Sequence, residues 1–349
     1  MTDKFGAAGR MRWGWFIAVA LVLVLLPLVS ETNTPTLLSI WALFALSLGL
    51  MWGYAGILSF GHAAYFGLGA YTYAITAMNA GESTAAFLLA MLLPAFVAAV
   101  IGAMMFYGRI SDVYMGVITL VVSLILFKFM NQTAGDAYRI GTARLGGFNG
   151  IPAFPILNVP GDPSITLFGT PMYYFSVFCL LGCYLLSRWL LASSFGRVLI
   201  GIRENEARTE LLGYNAPAYK TGIFAFTAAM AGLSGCLFAN WAEIVTPTVF
   251  SLNQSAEVII WVIAGGLGTL VGPMLGAAVL GMLKLLLGTQ TLIDNSLVLG
   301  IILILVVLLV PRGITPAFTD WRERASRAGA SRKAMGGTRR RRRGAQTPT

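Results

Sequence analysis

The sequence predicts an all-α, polytopic integral membrane protein with about 8–10 transmembrane helices, each needing about 20 mostly apolar residues. Three observations carry that prediction. Hydrophobic residues make up 57% of the 349 positions, charged residues make up only 11%, and the apolar positions are gathered into long runs. A soluble domain carries about a quarter charged residues, so this chain has too few to cover a water-facing surface. Its 40 glycines show no collagen-like period and suit helices that pack backbone to backbone in lipid.

Candidate spans lie near 13–30, 37–54, 58–78, 85–107 and 113–130, and then near 171–191, 221–242, 256–272, 273–288 and 295–311. The first follows Lys4, Arg10 and Arg12 as a signal peptide would, but Ser30-Glu31-Thr32 offers no small-x-small cleavage site, so it reads as a membrane helix. The pair 256–272 and 273–288 is short and interrupted by glycines and Pro273. It predicts a broken or re-entrant element, which is tolerated where protein or a water-filled cavity covers it.

Orientation follows from Lys and Arg. The net charge is +10, and eleven cations from Arg312 to Arg343 lie beyond the last apolar run. Both termini therefore face the cytoplasm, and an even span number is required. The chain divides into a cytoplasmic N-terminus (1–12), a transmembrane domain (13–312) and a basic tail (313–349). Residues 192–220, with Arg197, Arg203, Arg208 and Lys220, fall inside as a cytoplasmic loop; 131–170, with Arg139 and Arg144, fall outside. A basic tail after a membrane domain reads as a lipid-facing segment rather than a nucleic-acid arm.

Cys179 and Cys183 sit one helical turn apart in an apolar run without a nearby His or third Cys. They read as apolar filler, and no metal site or cofactor is expected.

Three segments carry information. In Gly53–Tyr71, Gly67 and Gly69 leave room for a neighbouring helix, and His62 is the only histidine. As a functional group it would hydrogen-bond substrate or move a proton; the plainer reading is a helix-end residue that satisfies a nearby carbonyl, and it is preferred. Phe195–Asn215 reads as a short helix with Glu204 and Arg208 at i,i+4, Gly213 as a C-cap residue, and one face formed by Ile202, Leu211 and Leu212. It is either a solvated loop helix or a docking element for a cytoplasmic partner. In Ser255–Ala277, Gly265, Gly266, Gly268, Gly272 and Gly276 accompany Pro273. Each interior Gly costs a helix about 1 kcal/mol, so tight packing or an unwound stretch lining a pathway is implied. No Gly-Lys pair occurs in the chain, which excludes a P-loop for nucleotide.

The order of these segments resembles the permeases of branched-chain amino acid ABC importers of the LivM type. The matching positions are Ser59, Gly61, His62 and Gly69; Gly146, Gly147, Asn149 and Gly150; Gly196, Arg197, Arg203, Glu204, Glu206 and Gly213; and Gly265 through Ala277. The likeness covers roughly 35–312 and omits the Arg-rich tail. It implies an ABC importer permease fold in the bacterial plasma (inner) membrane, doing no chemistry itself. It also implies a second, LivH-like permease, two ATP-binding subunits and an extracytoplasmic substrate-binding protein. Under that resemblance Arg203, Glu204, Glu206, Arg208, Leu212 and Gly213 would couple to the ATPase, and Ser59, Gly61, His62, Asn149, Gly265, Gly266, Gly268 and Gly272 are the pathway candidates. Permeases for urea and short amides share the pattern and form the alternative. An ion-coupled secondary carrier fits less well, because Glu243, Glu257 and Asp294 fall near predicted span ends rather than within them. A membrane-embedded enzyme would need converging catalytic groups, which one His and sparse acids do not supply.

Overall fold

The computed structural model describes residues 31–288 apart from Asp136, Pro160 and Gly161, together with 23, 25–28 and 300. The predicted runs near 13–30 (save a 3-10 turn at Leu26–Leu28) and 295–311, Asp294, and the stretches 1–12 and 313–349 lie outside the described residues. The helices are α1 (Asn33–Leu50), α2 (Ala63–Ala80), α3 (Ser83–Tyr107), α4 (Asp112–Gln132), α5 (Thr170–Ala192), α6 (Ser194–Glu204), α7 (Glu206–Leu211), α8 (Ala216–Ala242), α9 (Leu252–Gly265) and α10 (Val271–Gly288). Among the described residues five helical stretches are long and apolar enough to cross a membrane: Asn33–Ala55, Ser83–Tyr107, Asp112–Gln132, Thr170–Ala192 and Ala216–Ala242. This is a multi-pass membrane protein.

α1 and its continuation as a π-helical turn (Met51–Ala55) are apolar on every side and almost wholly buried, as a central helix must be. α8 lies against α1, α2 and α3, also largely buried. Its small residues make this possible. A Cβ on Gly235 would collide with the Phe66 carbonyl of α2, and one on Gly232 with the Ala90 carbonyl of α3. The predicted room at Gly67 and Gly69 is taken by the Phe250 ring and by Gly232. α3, α4 and α5 keep most of their apolar surface outward, where lipid accepts it.

The two ends of the bundle differ. At one end, residues 133–169 carry β1 (Arg139–Ile140) paired with β2 (Ala143–Arg144), and β4 (Asn158–Val159) paired with β5 (Asp162–Thr166). There β3 (Ile151–Pro152) pairs with β6 (Ile244–Val245), which follows α8. Asn79, at the end of α2, accepts from Thr142 N at 2.8 Å and donates to the Ile140 carbonyl at 2.9 Å. At the other end α6 and α7 sit beside the α3–α4 turn, with Arg109 3.4 Å from Glu210. We refer to these as the hairpin end and the elbow end.

Two predicted spans are interrupted. The run near 58–78 becomes a helix only at Ala63, after a loop from Gly56. The pair 256–272 and 273–288 becomes the α9–α10 hairpin, broken over 266–270. The chain reaches this hairpin by descending from β6 to a 3-10 turn (Pro247–Phe250) inside the bundle. There the Phe250 ring stacks on Tyr71 with centroids 5.4 Å apart, and the Phe250 carbonyl accepts from Ser123 in the middle of α4 at 2.8 Å. α9 therefore starts at mid-depth and runs to the elbow end, where Gly268 meets Gly53.

The glycine seam between α2 and α8 generates the first prediction. Gly235→Leu forces two backbones apart and should destabilise the detergent-purified protein by about 1–3 kcal/mol. Gly182→Leu on α5, where an added Cβ would meet nothing within 4 Å, should leave the melting temperature unchanged. Equal melting temperatures for the two variants would show that the seam is not close-packed.

Candidate functional site

Three groups of residues hold the predicted positions, and they do not converge on one cavity. Asn149 is exposed at the hairpin end, in a turn (Gly147–Asn149) whose first residue, Gly147, is buried. Its neighbours Gly146, Gly147 and Gly150 all take positive φ, and a side chain on Gly150 would meet the Val245 carbonyl. The glycines of this motif therefore build the turn that seats β6.

Ser59, Gly61 and His62 lie in the interrupted entry to α2, all buried. Gly61 is pressed against the Thr119 carbonyl of α4. His62 Nε2 lies 2.8 Å from Ser47 Oγ, and Ser47 in turn donates to the Phe44 carbonyl at 2.6 Å. With its one proton spent there, Ser47 accepts from His62, which places the ring proton on Nε2. The ring also stacks on Phe44 with centroids 5.5 Å apart. The preferred sequence reading, a carbonyl partner for His62, is thus corrected: the partner is a hydroxyl fifteen residues upstream. Ser255 of α9 joins the group, its Oγ accepting from Ala63 N at 3.3 Å. Ser59 Oγ and His62 Nδ1 are buried without a hydrogen-bond partner among the described residues.

Gly265, Gly266, Gly268 and Gly272 lie at the elbow end. Gly265 abuts the Gly272 carbonyl, and Gly266 and Gly268 turn the chain with positive φ. These glycines form the inner clasp of the α9–α10 hairpin.

The single short helix predicted over 195–215 is corrected. Asn205 is extended at φ −160° and splits it into α6 and α7, capping α7 by accepting from Arg208 N at 2.8 Å. Glu204 and Arg208 consequently lie on different helices. The break also rephases the apolar face: Ile202 is buried, whereas Leu211 and Leu212 are 88% and 73% exposed. α7 ends with Gly213 at φ +91°, where Gly213 N bonds the Glu210 carbonyl and Tyr214 N the Thr209 carbonyl. That paired arrangement favours glycine. The elbow is braced from inside. Arg203 donates to the Gly53 carbonyl in the middle of the π-helical turn, Arg197 to the Ala192 carbonyl at the end of α5, and Lys220 to Glu206 at 2.5 Å. Between the α3–α4 turn and α7 lies a cleft of about 400 Å³ lined by Phe106, Arg109, Asp112, Glu206, Glu210 and Lys220.

One group escaped the sequence reading. Glu257 of α9 and Lys284 of α10 form an ion pair, with Nζ 2.6 and 2.7 Å from the two carboxylate oxygens. Glu257 stands about 12 Å along α9 from Gly265 and Lys284 about 20 Å along α10 from Val271, well inside the bundle rather than at a span end. The available signal was a single lysine in the apolar run 273–288.

Ser47→Ala strips the one partner from a buried histidine and should destabilise the protein by about 1–3 kcal/mol. Ser176→Ala, which removes a buried hydroxyl that has no partner among the described residues, should be neutral or stabilising. Thermal melts in one detergent compare them, and equal losses would rule out the Ser47–His62 bond as a stabilising contact.

The family described as "Branched-chain amino acid transport system / permease component" matches residues 32–309. The high-affinity branched-chain amino acid transport system permease protein LivM of Escherichia coli (strain K12) is 26% identical over 329 residues, covering 86% of this chain and 74% of that protein. The corresponding LivH of Salmonella typhimurium (strain LT2) is 25% identical over 297 residues, covering 81% and 93%. The ribose import permease RbsC of Escherichia coli (strain K12) is 29% identical over 204 residues, covering 56% and 58%. No solved structure matches. With most of its length inside the family match, the chain belongs to the permease components of branched-chain amino acid transport systems.

Proposed function

We propose that the chain is a transport subunit of a binding-protein-dependent ABC importer in the bacterial plasma membrane, forming half of the pathway for branched-chain amino acids. The permease family and the likeness to both LivM and LivH support this reading. The likeness to both halves of one system also supports a second, related permease as partner. ATP hydrolysis then belongs to two separate ATP-binding subunits, and capture of substrate to an extracytoplasmic binding protein.

The observation that carries the mechanism is the elbow. Leu211 and Leu212 project an apolar tip from a face otherwise charged with Glu204, Arg208 and Glu210. Behind the tip, Arg203 ties the elbow to α1, and Lys220 ties it to α8 through Glu206. In this reading the tip docks into an ATP-binding subunit, and the braces pass its displacement to the two central helices. Positive-inside bias supports an elbow in the cytoplasm and a hairpin end toward the binding protein. Ser59, Gly61, His62, Asn149 and Gly265, Gly266, Gly268, Gly272 are the proposed pathway and hinge positions. Packing around Gly61 and Gly265 supports a close-packing role for these glycines over a lining role, and positive φ at Gly266 and Gly268 supports a hinge role for those two.

The docking role is tested in the assembled transporter. Leu211→Asp with Leu212→Asp, or Gly213→Val, should leave membrane abundance normal and lower uptake about tenfold or more, because apolar anchors of this kind contribute about 2 kcal/mol or more. ATPase activity should cease to respond to the loaded binding protein. Wild-type uptake in both variants would leave the elbow an ordinary solvated loop. The purified chain alone should neither bind nor turn over ATP, checked by nucleotide binding and phosphate release; turnover by a clean preparation would contradict the subunit assignment.

A further inference from the structure

Glu257 and Lys284 pose a problem of physical chemistry. Their side chains are 15% and 27% exposed, so they are largely withdrawn from solvent without being sealed. Charges at membrane depth are costly and mark function. A buried ion pair is also a weak reason for stability, since apolar residues of similar volume often do as well or better. The α9–α10 hairpin does not depend on it for closure: Gly265 already abuts Gly272, and Gly276 abuts the Trp261 carbonyl. Part of the outward surface of α9 at this level is polar too, beside the exposed Leu252 and Ala256. Asn253, one turn before Glu257, is exposed, and Gln254 is half-buried. Such a face suits water or a protein partner, not lipid.

We propose that Glu257 and Lys284 form a station in the translocation pathway for the zwitterionic head group of an α-amino acid; the inference rests on the amino-acid importer reading above. The substrate ammonium takes the place of Lys284 at the Glu257 carboxylate, and the substrate carboxylate takes the place of Glu257 at Lys284. Charge is conserved at each step and no proton moves. The resident pair is therefore the empty state of the site, with each charge neutralised until a ligand of the same two charges exchanges in. Trp41 assists the exchange: its ring lies 5.2 Å from Lys284 Nζ, so a cation–π contact holds the ammonium while the carboxylates swap. Ile260, one turn further along α9 and half-buried, offers apolar contact to an aliphatic side chain. Competition from the resident pair keeps occupancy weak, which a pathway site needs if its ligand is to leave. Urea and simple amides lack both charges and gain nothing from the exchange.

The test uses the complete transporter in proteoliposomes, with leucine-loaded binding protein outside and ATP inside, and leucine uptake expressed per assembled complex. Glu257→Gln, Lys284→Met and the double neutral variant should each lower uptake about tenfold or more, the range expected for a truncated buried charge partner. The reversed pair, Glu257→Lys with Lys284→Glu, should stay equally low, because it rebuilds the clasp but meets the substrate with inverted charges. Near wild-type uptake by the double neutral or the reversed variant would reduce the pair to a structural clasp and overturn the proposal alone. A wild-type complex that takes up urea or acetamide but not leucine would overturn the amino-acid reading, and the station with it.

Discussion

A backbone interrupted inside a bilayer must find partners for the N–H and C=O groups that a continuous helix would satisfy. Among the described residues, two non-helical stretches lie inside the bundle, the entry to α2 and the descent into α9, and they are set against each other. The entry to α2 offers Ala63 N, which Ser255 of α9 accepts. The descent into α9 offers the Phe250 carbonyl, which Ser123 of α4 satisfies, while Ser251 caps Gln254 N. His62 is held by Ser47 from the central helix. Each break is thus stabilised by small polar side chains on neighbouring helices. Those helices approach closely enough only because Gly61, Gly67, Gly69 and Gly235 carry no side chain.

α1 is the element on which the remaining structure converges. It holds His62 through Ser47, meets the α9–α10 hairpin where Gly49 adjoins Pro273, and lays Trp41 beside Lys284. Its π-helical end accepts from Arg203 of the elbow. A π turn is a local departure from regular helix geometry and is frequent at functional sites. Its position at the junction of elbow and core fits an element that accommodates displacement. In the proposed importer a push on the elbow would reach both interruptions through one buried helix, without needing a chain of side-chain contacts across the bundle.

Much of this was legible in the sequence, and the exceptions share a cause. The long apolar runs located α1, α3, α4, α5 and α8, because burial and lipid exposure both demand apolar residues. The glycine-rich run over 265–276 announced a broken hairpin. Helical periodicity failed at Asn205, since the predicted face over Ile202, Leu211 and Leu212 assumed one phase. An extended residue resets that phase and turns the two leucines outward. Hydropathy likewise carries no depth: Glu257 near the edge of a run resembles a span end, but the descent through Pro247–Phe250 places it well inside. The Ser47–His62 bond joins two segments whose meeting depends on the fold, and no local signal encodes it.

The α9–α10 hairpin gathers these features into one mechanical unit. Its elbow end is closed by backbone contact at Gly265 and Gly272, which carries no side-chain charge for a ligand to compete with. Higher in the bundle it is held by Glu257 and Lys284, whose attraction any competing pair of charges relieves. One clasp is permanent and the other exchangeable, and they are separated by about 12 Å of α9. Releasing the exchangeable clasp leaves Gly266 and Gly268, which alone in the turn take positive φ, as the place where the two helices can change their angle. Because Ser255 sits on the same helix and caps the entry to α2, that change of angle would be felt at His62. The hairpin therefore has the form expected of a hinge, in which packed helices move as rigid bodies about a few residues that absorb the backbone change.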